Sequence, residues 1–184
     1  TESSTSWKTS KESTREFLEM MREIHENSGS LGFPSGIHEI DQQTGGLAPG
    51  DFWVVAAPSS CGKTMLMIQI CNHFHVEGKN VLIFSFETNS AKIITRMVAN
   101  RSNIDSKTIL GKGDEKLTAG DMMQIRSKTE SIMKSDAITI CDNYDLTLES
   151  MMGIATQLRE AGRKIDIIAV DYIQLVSLSS NEGL

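Results

Sequence analysis

The sequence predicts an α/β domain, a mainly parallel sheet flanked by helices. Two observations carry this. Beyond Gly50 apolar runs of strand length alternate with longer segments of helical period, as βαβ units do. In addition, the first of these runs feeds a Gly-Lys-Thr turn that opens a helix, an arrangement suited to anion binding at a helix N-terminus.

The elements follow in order. Residues 1–12, TESSTSWKTSKE, are Ser, Thr and charge and bury almost nothing, so a flexible leader is expected. Ser13 and Glu16 form a capping box, with Phe17, Met20, Met21 and Ile24 on one face behind it. That pattern predicts an amphipathic helix over 13–28 whose apolar face needs a partner. Gly29 to Gly36, with Pro34 between, breaks the helix and opens the main domain at 29–184. Within it the expected strands are Phe52–Ala57, Val81–Phe86, Ala137–Cys141 and Ile165–Val170. The expected helices run from Lys63 to about His75, Ser90 to Asn100, Thr118 to Ser135 and Thr147 to Ala161.

Composition narrows the function classes. The chain has 184 residues and 39% hydrophobic content, enough for one ordinary core. With 18 Lys and Arg against 24 Asp and Glu its formal charge is -6, so any nucleic-acid contact must be local. Cys61, Cys71 and Cys141 are odd in number and form no C-x-x-C pair, which fits a reducing, cytoplasmic setting. No uncharged apolar run approaches the roughly 18 residues that span a membrane, so no membrane partner is expected. A chain opening on Thr1 reads as an excised or processed piece of something longer.

Chemistry concentrates at three places. Ala57-Pro58-Ser59-Ser60-Cys61-Gly62-Lys63-Thr64 fits G-x-x-x-x-G-K-[ST] except for Ala at the first position. Here Gly62 lets the backbone approach phosphates, Lys63 reaches the β and γ oxygens, and the Thr64 hydroxyl is placed for magnesium. ATP with Mg2+ is therefore the expected cofactor pair. Glu87 ends a buried strand at the edge where ligands of parallel sheets sit, either as base for the attacking water or as a solvated cap of the next helix. Asp171 ends the last strand, as a magnesium holder or as a turn residue. Arg96 could orient Glu87 or could be a solvated helix arginine. His73 and His75, two apart, face different sides and make a poor metal pair. Asp142 and Asp145 read as a polar loop, and Met65, Met67, Met122, Met123, Met151 and Met152 as core and interface filler.

Several stretches then resemble, in order and spacing, the RecA-like motor domain of DnaB-family replicative DNA helicases. They are Gly36-Ile37-His38-Glu39-Ile40-Asp41, Thr44-Gly45-Gly46-Leu47-Ala48-Pro49-Gly50-Asp51, the phosphate loop, Phe84-Ser85-Phe86-Glu87, Arg96-Met97 and Val170-Asp171-Tyr172-Ile173-Gln174-Leu175. The resemblance runs from about Gly32 to Leu178. It implies an ATP-hydrolysing core in which Lys63 and Thr64 bind phosphate and magnesium, Glu87 activates water, Asp171 completes the metal site and Arg96 tunes Glu87. It further implies a ring-shaped homo-hexamer on single-stranded DNA, with primase and a helicase loader as further partners, and a linker helix packed on the neighbouring subunit. The Ala-Pro-Ser-Ser-Cys loop departs from the family's usual Ala-Arg-Pro-Ser-Met. The family's γ-phosphate-sensing glutamine, DNA loops and arginine finger are expected beyond Leu184. The opening stretches are shared with KaiC-like and RadA-like ATPases, so a regulatory or recombination ATPase is the alternative, as is a nucleotide-binding module without turnover.

Overall fold

A computed structural model describes residues 7–26, 32–58 and 60–172. These fall into two compact units, divided between Val54 and Val55. The first unit holds α1 (Ser10–Glu26) and α2 (His38–Thr44). The second holds α3 (Lys63–Val76), β1 (Val81–Ser85), α4 (Ser90–Ser102), α5 (Ser106–Ile109), α6 (Ala119–Ser135), β2 (Ile138–Cys141), α7 (Leu148–Glu160) and β3 (Ile167–Asp171).

In the first unit α1 starts three residues before the expected position. Thr9 and Glu12, not Ser13 and Glu16, form the cap: the Thr9 N–H and hydroxyl both donate to the Glu12 carboxylate at 2.8 and 2.7 Å. The Ser13 N–H is already spent on the Thr9 carbonyl, so it cannot begin the helix. Phe17, Met20 and Met21 are exposed along α1. The stretch after it closes on itself. Phe33 and Leu47 exchange backbone hydrogen bonds at 2.8 Å, and the Asp41 carboxylate accepts from the Ser35 and Gly36 N–H groups. Gly46 sits at φ 84°, where a Cβ would lie 2.5 Å from the Phe33 carbonyl oxygen. Gly46 is thus demanded by a backbone crossing, and Gly45 by its left-handed position at the C-cap of α2.

The second unit is built on a parallel three-stranded sheet ordered β2-β1-β3. β1 is central, and all five of its residues are buried, which is why it reads as an unbroken apolar run. Leu82 and Phe84, with Phe86 beyond the strand end, pack against Leu146 and Met151, with Ile154 and Leu158 of α7 closing that cluster. α3 packs against β1 and β3, and α4 against α3 and α6. Asn72 of α3 donates to the Met97 carbonyl at 3.1 Å and to the Asn100 side chain at 2.9 Å, tying α3 to α4.

The strand expected over Phe52–Ala57 does not form. Residues 51–58 carry no regular secondary structure, and Phe52, Val54 and Val55 are exposed. A strand exists only through pairing, and apolar content alone does not supply a neighbour. Of the methionines expected as filler, Met151 is buried, while Met65, Met122, Met123 and Met152 are exposed.

Candidate nucleotide site

The phosphate loop takes its shape from two left-handed residues. Ser60 lies at φ 65° and Gly62 at φ 89°, the αL element from which anion-binding nests of N–H groups are made. Gly62 has open space where a Cβ would stand, so its glycine is set by conformation rather than by crowding. It is also the N-cap of α3, and no side chain caps that end. The first N–H groups of α3 thus form the positive end of a 14-residue helix directly behind the loop. Ser59 lies outside the described residues, while Ala57, Pro58, Ser60 and Cys61 are exposed on the loop.

Two loop side chains are already directed. The Lys63 ammonium donates to the Ala57 carbonyl at 2.6 Å and to the Pro58 carbonyl at 3.1 Å. The cation is therefore folded back over the loop. The Thr64 hydroxyl donates to the Asp171 carboxylate at 2.8 Å, joining residues 107 apart in sequence. Asp171 is buried at the end of β3, so the edge expected to carry ligand chemistry does bring these groups together.

Glu87 follows the end of β1, exposed between buried Phe86 and Thr88. It does not cap α4. Asn89 does so, accepting from the Lys92 N–H at 3.0 Å, and Asp142 takes the Ser90 N–H at 2.7 Å. That bond to Ser90 holds the Asp142 carboxyl below its ordinary range. Asp142 is thus a helix anchor, a role hidden in the sequence because its partner lies 52 residues away. Arg96 is half-buried on α4, and no hydrogen bond or ion pair joins it to Glu87 among the described residues. Ile173, Gln174 and Leu175 lie outside the described residues.

The donor set suits a hard cation. Among the described residues no group of three or more His, Cys, Asp and Glu side chains gathers to hold a metal. The Thr64 hydroxyl and Asp171 carboxylate offer two adjacent oxygens, the partial set with which magnesium is bound when phosphates and water complete its shell.

Residues 32–183 match the family of the DnaB-like helicase C terminal domain. The chain belongs to that family. A replicative DNA helicase DnaB of Haemophilus influenzae is 30% identical over 166 residues, which cover 90% of this chain and 35% of that protein. A probable plasmid replicative DNA helicase of Chlamydia psittaci is 33% identical over 153 residues, 80% of this chain and 31% of that protein. The chain therefore spans about a third of the length of such relatives. Among solved structures, an ATPase domain matches with TM-score 0.79 at 22% identity, over 93% of this chain and 60% of its own. A DnaB-like replicative helicase described with its interactions with primase matches with TM-score 0.76 at 22% identity, over 92% of this chain and 41% of its own. The RecA-like fold expected from the sequence is thus the fold of this DnaB-family domain. No helix of the described residues is long and apolar enough to cross a membrane.

Proposed function

We propose that this chain is the ATP-binding and hydrolysing core of a replicative helicase that works as a ring-shaped homo-hexamer on single-stranded DNA in the cytoplasm. The observation that carries the proposal is the 2.8 Å bond between Thr64 and Asp171. It sets a hydroxyl and a carboxylate side by side at the mouth of a loop whose lysine is already folded over it. On this reading the α3 N–H groups and Lys63 bind the phosphates of ATP, and Thr64 and Asp171 hold Mg2+. Bound there, the ion neutralises charge that develops on the phosphate oxygens. Glu87, relieved of capping by Asn89, takes the proton of the attacking water. Arg96 tunes Glu87 once nucleotide draws the two together. Primase and a helicase loader are proposed partners on family resemblance alone.

The test is Lys63→Ala in the full-length protein. Loss of a charge-assisted contact of roughly 1.5–3 kcal/mol predicts ATP binding weakened about ten-fold to over a hundred-fold. DNA-stimulated hydrolysis and unwinding should fall with it. Unchanged ATP affinity would overturn the assignment.

A further inference from the structure

We propose that Ser85 is a positioning residue for hydrolysis, holding the turn that presents Glu87 to the nucleotide. The proposal rests on the reading of Glu87 as the base.

Ser85 is the last residue of β1 and is fully buried. Its hydroxyl makes two bonds to one residue: it donates to the Thr88 carbonyl at 2.7 Å and accepts from the Thr88 N–H at 3.2 Å. Together these close a ring around Phe86 and Glu87. Thr88 is buried as well, so water cannot substitute cheaply for either bond. A buried serine in an apolar strand would ordinarily be a liability, and here its one donor and one of its acceptor sites go into a single turn.

The same turn is tied to the other half of the site. Ser85 stands opposite Asp171 in the sheet register, and the Phe86 N–H donates to the Asp171 carbonyl at 2.8 Å. The Phe86 side chain is sunk in the core cluster with Leu146 and Met151. Glu87 is therefore the exposed residue between two buried ones, on a turn closed by Ser85 and fastened to the backbone of the residue that holds Thr64. Without the hydroxyl the Phe86 anchor remains, but the peptide after Glu87 loses its fixed orientation. A displacement of about 1 Å at a reacting group costs on the order of a hundred-fold in rate.

The experiment is a double-mutant cycle in the full-length protein, with Ser85→Ala, Glu87→Gln and the pair, reading kcat and ATP affinity separately. Ser85→Ala should lower kcat roughly ten-fold to a hundred-fold and leave ATP affinity within about two-fold, because Lys63 and Thr64 are untouched. In the Glu87→Gln background the same change should add nothing, since the effect passes through the carboxylate. Should Ser85→Ala fail to fold, judged by loss of ATP binding, Ser85→Cys with its weaker donor is read by the same criteria. Equal kcat in wild type and serine variant, or losses that multiply in the pair, would overturn the positioning role. A Glu87→Gln protein with undiminished turnover would instead overturn the reading of Glu87 itself.

Discussion

Asp166, which none of the sequence motifs includes, is among the most strongly held carboxylates of the second unit. Burial pushes its pKa up, but the Asn80 N–H, the Lys164 ammonium and the Asn80 amide outweigh that and hold it at about 2, against an ordinary 3.8. Its two bonds to Asn80, at 2.8 and 3.0 Å, pin the start of β3 to the start of β1. Because the folded value is the lower one, the stabilisation is full above the ordinary pKa and is lost as pH falls through about 2. The shift corresponds to about 2 kcal/mol. Acid unfolding followed by circular dichroism between pH 5 and 2 should show Asp166→Asn less stable at the upper end and flatter on descent. At Glu87 position alone left base and cap equally open, and the structure gives the cap to Asn89, whose side chain accepts from the Lys92 N–H; Asn two residues on is itself a favoured N-cap type, a signal the sequence offered. Glu87→Gln should accordingly bind ATP normally, keep its melting temperature, and hydrolyse about 10² to 10⁴ more slowly. A Glu87→Gln protein that melts earlier and turns over normally would mean a structural role after all.

Among elements, α3, α4, α6 and α7 were legible to within two residues at nearly every boundary, because each has a local signal. Thr118 with Asp121 makes a capping box for α6, and Thr147 caps α7. α4 runs furthest past its expected end, to Ser102, with Asn103 in the left-handed region ending it. The misread segment, Phe52–Ala57, depends on a pairing partner that local pattern cannot supply, and α2 and α5 are too short for periodicity to register. His75 shows how the helices lock together. Its ring Nδ1 lies 3.1 Å from the Arg101 guanidinium, which can only donate, and its Nε2 lies 2.7 Å from the Ser135 hydroxyl. The ring is therefore neutral with the proton on Nε2, and the Ser135 hydroxyl in turn donates a hydrogen bond to the Ile132 carbonyl at 2.9 Å. Desolvation, then the nearby Arg101 charge, lowers the His75 pKa below its ordinary 6.5. With the folded value depressed, the unfolded chain binds the proton first, so stability is complete above about 6.5 and falls as pH drops towards the folded pKa. Thermal melts at pH 7.5 and 5.5 should show a drop for wild type that is smaller in His75→Gln. Equal drops would place the acid sensitivity elsewhere.

For the whole molecule the sequence made the nucleotide chemistry readable and left the assembly implicit, because binding residues sit in a contiguous loop while catalytic cations can come from any surface. The proposed ligands for ATP and magnesium lie within the second unit: Lys63 and Thr64 at the head of α3 and Asp171 at the end of β3. Charge for the transition state is another matter. Arg101 is committed to His75, Arg126 to Glu130 and Arg163 to Asp136, and Arg96 makes no bond to Glu87. Among the described residues none of these arginines pairs with Thr64, Asp171 or Glu87. An arginine supplied by a neighbour raises the rate of phosphate-loop enzymes by about 10³ to 10⁵, so hydrolysis by this chain should depend on a second copy or on sequence outside it. The net charge of -6 gives little for counterion release from DNA. The 184-residue chain should therefore bind ATP, hydrolyse it near background when dilute, and bind single-stranded DNA weakly at physiological salt. Titrating chain concentration in an ATPase assay, with and without single-stranded DNA, checks all of this at once. Strong DNA-stimulated turnover that is independent of concentration would show that one copy carries its own finger and DNA contacts, and that the ring is not needed for chemistry.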